Sequence, residues 1–451
     1  MGQSLWRLDQ SNIQLTHLST FLLLLCSLGQ HIRGVIDGLQ HNHKYTVVLV
    51  HLNDRRPDYD NSTAGDILIG NDVFLSNDVS LLATQRDYIA NLKLDMIVYP
   101  EIGMEPNAYF LAFSRLAPVQ IATWCFPQSL ATGAIDYFIS SDHLELDGGE
   151  GGGEEPGAQE PMDERAASFT YYDEQLVQYR KAPPWYFYKE DAERKFDSPA
   201  EQTVEYNPFQ MTPEERKKIN IYFIPQDSIK LHYTFNYVLE HILLHDPNGV
   251  VALIVSPKRQ EFVYRRFKGR DSGGSGGGGE SGGGGESGES GGSGLSNYNF
   301  DSSSFSSDKY KDRIVLLPRT KSRYEFRRLL SMVDVILDPW PWGGWTTTLQ
   351  ALSANVPVVT LPGNDARSRF TWGIYQSLNM SDVTRRFVAD DVDDYVIKAI
   401  EAGRNELQWV DKTMAAIKKR MEHTPLLEHP NTPVVWDAFL SRAHRLHVLS
   451  Q

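Results

Sequence analysis

A chain of 451 residues is long for one domain and comfortable for two, and 41% hydrophobic with 23% charged residues is a globular composition, neither disordered nor membranous. The formal net charge of -14 argues against general binding to a phosphate backbone, although one local basic pocket could still hold a nucleotide. The only cysteines, Cys26 and Cys125, supply neither a disulfide framework nor zinc-ligand spacing, which fits a reducing compartment.

In chain order, the first apolar run is FLLLL at 21–25, with Cys26 behind it. It is too short to span a bilayer. It fits a buried strand or helix start better than a signal peptide, because Arg7 is offset by Asp9 and no small-residue cleavage site follows before His31. A secretory signal stays open as the alternative to a cytoplasmic or nuclear protein. TVVLVHL (46–52) and DMIVYP (95–100) then read as buried strands. NAYFLAFSRL (107–116) has helical spacing, with Tyr109, Phe110, Phe113 and Leu116 on one side, and VQIATW (119–124) and DYFISS (136–141) are further strands. Strands alternating with helices predict a parallel sheet covered on both faces.

Two low-complexity tracts follow, at 148–161 (GGEGGGEEPGAQEP) and 271–307, the latter almost all Gly, Ser and Glu. Neither can bury enough apolar surface to offset its ordering entropy, so both are expected as flexible surface insertions without chemistry. Around the second tract the alternation resumes. IYFIP (221–225) is a strand, and a helix over 233–244 carries the stripe Phe235, Leu239, Ile242 and Leu243. VVALIV, RIVLLP, VDVILD and VPVVTLP are further strands, with helices near 322–331 and 346–355. The pattern predicts an N-terminal Rossmann-like domain over 1–195, a C-terminal one over 210–410 and a helical tail over 411–451, the two domains facing a cleft where ligands of such sheets bind.

The segment LDPWPWGGWTTTLQAL (337–352) concentrates the chemistry. A buried strand delivers Gly343 and Gly344, where the backbone can approach a ligand closely, and Thr346 and Thr347 then open a helix whose free N–H groups would accept a pyrophosphate. A capping threonine behind a plain glycine turn explains the spacing equally well. Lys230, beyond the strand IYFIP, and Arg319, beyond RIVLLP, are placed to neutralise a leaving diphosphate or simply to meet solvent. Tyr324 and Phe326 could stack on a base or pack in the core. Asp136, beside the strand DYFISS, reads as a structural acceptor of backbone N–H groups.

Taken together, RLAPVQIATW…ATGAIDYFISS, PQDSIKLH and DVILDPWPWGGWTTTLQALSANVPVVTLPG resemble the catalytic region of the O-linked N-acetylglucosamine transferase family. Its relatives include plant SPINDLY-type protein fucosyltransferases and bacterial cytoplasmic N-glucosyltransferases. The resemblance covers most of 26–410 outside the insertions; tandem helical repeats, which many relatives have, are not seen in this sequence. It implies an α/β GT-B fold and inverting transfer from a nucleotide sugar, UDP-N-acetylglucosamine foremost, to Ser or Thr of a protein. It also implies no required metal or cofactor, and no nucleic-acid or membrane partner. By position it implies that Lys230 and Gln226 contact the donor, that Thr346 and Thr347 hold phosphate, and that Phe326 stacks on the base. Departures accompany it. Cys26 stands where the family has a histidine, leaving His31 as the nearby candidate base. Phe126 replaces the His or Tyr of a turn, Trp345 a histidine, and Gln350 the acidic residue that grips the ribose. A degenerate, non-catalytic nucleotide- or protein-binding member and a UDP-glucose or GDP-fucose enzyme are the alternatives.

Overall fold

The computed structural model describes residues 19–25, 32–42, 44–52, 72–76, 78–100, 102–103, 106–145, 172–180, 183–186, 206–268, 307–423 and 426–450. Cys26, His31 and the glycine-rich stretches 148–161 and 271–306 lie outside the described residues. The strands are β1 (Ser19–Leu25), β2 (Tyr45–Leu52), β3 (Asp72–Leu75), β4 (Met96–Tyr99), β5 (Val119–Thr123), β6 (Tyr137–Ser141), β7 (Gln175–Tyr179), β8 (Asn220–Ile224), β9 (Gly249–Val255), β10 (Ile314–Pro318), β11 (Val335–Leu337) and β12 (Val358–Val359). The longer helices are α1 (Arg33–His41), α2 (Leu82–Asn91), α3 (Pro106–Leu111), α4 (Phe235–His245), α5 (Gln260–Lys268), α6 (Arg323–Leu330), α7 (Thr346–Ser353), α8 (Phe370–Ser377), α9 (Val392–Arg404), α10 (Trp409–His423) and α11 (Thr432–Ser450). No helix among the described residues is long and apolar enough to cross a membrane.

The chain divides into two compact units, one of Met1–Asp142, Asp147–Tyr188 and Leu427–Gln451, the other of His143–Leu146 and Lys189–Leu426. In the first, seven parallel strands run in the order β3-β2-β1-β4-β5-β6-β7. The FLLLL run is therefore a strand inside the sheet, paired with β2 on one side and β4 on the other. Val47, Leu49, Met96, Val98, Ile121 and Ile139 pack on one face, and Val50, Ile97, Ala122 and Phe138 on the other. That alternation across a doubly covered sheet is why the strands read as continuous apolar runs.

The helix expected over 107–116 ends at Leu111, and its buried face is Asn107, Ala108 and Leu111. Phe110 and Phe113 are 44% and 51% exposed, with Tyr109 edge-on to both. Aromatic mutual contact, not core burial, accounts for that spacing. Asp136 accepts the Gln120 N–H at 2.7 Å and pairs with Arg115, the structural role its position suggested.

The residues over 411–451 are helical, but they do not form one appendage. Helix α10 belongs to the second unit and α11 to the first. Trp436, Leu440 and Ala443 of α11, at helical spacing, join the core formed by α1, β2, β4 and β5, and Trp436 Nε1 donates to the Pro184 carbonyl at 2.8 Å.

In the second unit the parallel order is β10-β9-β8-β11-β12. The chain starts at β8, moves outward through β9 and β10, then returns to β8's other edge as β11. Strands β8 and β11 thus flank a point where the crossover direction reverses, and the loops leaving their carboxyl ends part around a crevice. Helix α4 buries the expected Phe235, Leu239, Ile242 and Leu243, with Val238.

Trp436→Ala should destabilise the first unit by about 3–5 kcal/mol, through lost burial and the cavity left behind. Urea unfolding followed by circular dichroism measures this; an unchanged midpoint would show that α11 is not part of that core.

Candidate functional site

The carboxyl ends of β8 and β11 bring a cluster of polar groups together in the second unit. After β8 the chain turns through Gln226 and Asp227 into a single 3₁₀ turn, Ser228–Lys230, started by Asp227, whose carboxylate accepts the Ile229 N–H. After β11 it runs through Asp338 and Trp340-Pro341 to Gly343, Gly344 and α7. An antiparallel bridge between Leu231 and Pro341 ties the two loops together. Residues 230 and 343, far apart in sequence, thereby come into contact: Lys230 Nζ donates to the Gly343 carbonyl at 3.2 Å and lies 5.2 Å from the centre of the Trp342 ring.

The glycines are required sterically. A methyl on Gly343 would meet Asp338 Oδ2 at 2.8 Å, and one on Gly344 would overlap Gln226 Nε2 and Thr347 Oγ1. Gln226 Nε2 donates to the Thr347 hydroxyl. Helix α7 starts at Thr346 behind Trp345, whose side chain makes no capping hydrogen bond. The Ser228 hydroxyl, buried in the adjoining turn, makes no hydrogen bond.

A half-buried ammonium and a fully buried carboxylate meet here. Burial pushes the Lys230 ammonium down to about 8, against the pull of Asp338 and Asp227. Burial pushes the Asp338 carboxyl up to about 6, opposed by hydrogen bonds from Thr371, the Gly344 N–H and the Thr360 hydroxyl, and by the charge of Lys230. The Gly344 N–H lies 2.7 Å from Oδ1 and Thr360 Oγ1 lies 2.9 Å from Oδ2. Tyr395 fixes the Asp338 main chain by donating to its carbonyl at 3.1 Å. Thr348, the third threonine, is buried and donates to the Gly344 carbonyl at 3.0 Å, so it shapes the turn rather than facing a ligand.

Of the residues singled out from sequence, Gln226, Lys230, Gly343, Gly344 and Thr347 converge directly, with Thr346 half-buried at the same helix start. Gln350 is half-buried one turn further along α7. Phe326 on α6 is half-buried with its ring tilted toward Phe223 of β8, 6.5 Å between centres. Arg319 is exposed just beyond β10, two strands from β8, and no contact joins it to Lys230. His31 has no described position. In the first unit Cys125 is buried, and the Phe126 ring closes over Gly103. Asp338 went unremarked in sequence, although an aspartate ending an otherwise apolar strand beside a glycine turn was a visible signal. Thr360 and Thr371 gave none, because each is brought to Asp338 only by the fold. Among the described residues no group of three or more His, Cys, Asp or Glu could hold a metal ion.

No protein-family model matches the chain. It is 25% identical over 116 residues to a probable UDP-N-acetylglucosamine–peptide N-acetylglucosaminyltransferase SPINDLY of Solanum lycopersicum, a match covering 26% of this chain and 12% of that protein. The Hordeum vulgare protein of the same name is 25% identical over 134 residues, covering 30% and 14%. Among solved structures, an O-GlcNAc transferase mutant of Thermobaculum terrenum superposes with a TM-score of 0.63 at 17% identity, covering 96% of this chain and 68% of that one. At that identity the likeness is one of fold: the chain has the α/β GT-B architecture of two Rossmann-like units, with a region similar to O-GlcNAc transferases.

The turn geometry predicts that Gly344→Ala breaks the Gln226–Thr347 hydrogen bond and costs about 1–3 kcal/mol in urea unfolding, as overpacking does. Wild-type stability in that variant would contradict the close approach.

Proposed function

We propose that this chain is an inverting glycosyltransferase that moves a sugar, N-acetylglucosamine foremost, from a UDP-sugar to Ser or Thr of a protein. The observation that carries the reading is the meeting of a half-buried lysine, a glycine pair and the start of α7 at the point where the β8 and β11 crossovers diverge. Such a site fits a diphosphate. Ammonium, N–H groups and hydroxyls are all donors, already oriented and partly shielded from water, so they gain strength as negative charge develops.

In this reading an acceptor hydroxyl attacks the anomeric carbon from the face opposite the leaving group, and UDP departs onto Lys230. Partial desolvation pushes the amine down to about 8, so a departing anion holds it in the charged form. Gln226, held against Thr347, and the start of α7 complete the cradle. Gln350, as a neutral amide, would bond a ribose hydroxyl less strongly than a carboxylate would. The names of the SPINDLY proteins support a UDP-N-acetylglucosamine donor and a peptide acceptor. They share only 12–14% of their length with the match, so donor sugar and acceptor belong to the proposal.

A second reading is a nucleotide-binding protein without transfer activity. The observation favouring it is Phe126: where the resemblance calls for His or Tyr, the ring carries no acid or base and packs against Gly103.

One pair of assays separates the readings. UDP should raise the melting temperature of the wild-type chain, because a ligand bound only by the folded state stabilises it. Lys230→Ala should lower UDP-sugar turnover by about 10²–10³-fold, the usual cost of removing one preorganised donor. Equal background turnover in wild type and variant, with UDP binding intact, supports the non-catalytic reading. No stabilisation by UDP rejects both.

A further inference from the structure

Asp338 and Lys230 hold opposite sides of one peptide turn. The carboxylate, 3% exposed, accepts the Gly344 N–H, while the ammonium donates to the Gly343 carbonyl. Gly343 is pressed so closely on Asp338 that no side chain fits between them. We propose that Asp338 is a positioning residue of the anion site, acting through the Gly343–Gly344 turn and through Lys230 as the counter-charge that holds the lysine charged until a diphosphate replaces it. This rests on the diphosphate reading of the site given above.

The groups around the carboxylate are few. Lys230 faces it from the turn after β8, Thr360 from the end of β12, Thr371 from α8 and the Gly344 N–H from its own loop. The Tyr375 and Tyr395 hydroxyls, from α8 and α9, are buried, bonded to backbone carbonyls and far too weakly acidic to ionise near neutrality. Asp227 adds negative charge beside Lys230 and is itself 3.8 Å from Arg259. Of the groups that act on the carboxylate, Lys230 and Asp338 are the ones placed between about pH 5.5 and 9; His232, two residues beyond Lys230, is held below the ordinary imidazole value by burial and by Arg266.

A bound diphosphate favours a charged Lys230 and a neutral Asp338, since it attracts the first and repels the second. Both preferences take up protons on binding. Affinity should rise as pH falls, first through about 8 as Lys230 protonates and again through about 6 as Asp338 is neutralised.

The test is calorimetric titration of the full chain with UDP-N-acetylglucosamine, a probe whose diphosphate diester has no ionisation near neutrality. Wild type should lose about tenfold in affinity from pH 7 to pH 9, and gain severalfold again below about pH 6.5. In Asp338→Asn the acid step should vanish, and the remaining step should move to lower pH because Lys230 has lost its counter-charge. A purely structural Asp338 would weaken binding by one factor at every pH and leave both steps in place; that result overturns the proposal. If Asp338→Asn does not fold, wild type titrated at about pH 6.5 in buffers of different ionisation enthalpy decides the matter, because Lys230 is already charged there. Net proton uptake supports the proposal and none overturns it. A wild-type chain that binds no UDP-sugar at any pH fails the diphosphate reading instead.

Discussion

The second unit depends on one electrostatic constraint: a half-buried lysine and a fully buried aspartate must be accommodated beside a turn with little room for a side chain. Isolated burial of either charge would cost several kcal/mol. The fold meets this by giving each charge a backbone partner in the same glycine pair and by leaving each in the other's field. The secondary donors follow from it. Thr360 and Thr371 serve the carboxylate, Thr348 fixes the Gly344 carbonyl, and Tyr395 fixes the main chain of Asp338. In the proposed reading such a site is preorganised for an anion, because its donors are fixed by contacts that exist without one.

Topology explains why the cluster lies where it does. Parallel strands direct their carboxyl ends to one edge, and the reversal of crossover direction between β8 and β11 opens that edge. The bridge between Leu231 and Pro341 then draws the two loops together across the opening. The same parallel logic in the first unit produces two apolar faces, one of them completed by α11 from the far end of the chain.

Much of this was legible in the residues. Buried parallel strands are short apolar runs, and β2, β4, β5, β6, β8, β9, β10 and β11 all fall on runs read that way, β2, β8 and β9 starting one residue earlier. Strands β3 and β7 escaped notice because they are edge strands, short and partly exposed, and QLVQY carries a glutamine before and after its apolar pair. The fate of α11 was not legible either: its apolar spacing marks a helix, but only the fold decides which unit it completes. Within the site, the glycines, Thr347 and Lys230 singled out in their loops do converge. Asp338 was visible as an aspartate ending an apolar strand, but its partners Thr360 and Thr371 reach it only through the fold.

The central claim is that a nucleoside diphosphate sits at the carboxyl ends of β8 and β11. A crystal structure of the chain with UDP tests it most directly. The account predicts the diphosphate between Lys230 Nζ and the first N–H groups of α7, with the Lys230–Gly343 hydrogen bond exchanged for one to phosphate. UDP bound elsewhere, or this turn left unchanged and empty at saturating UDP, would contradict it.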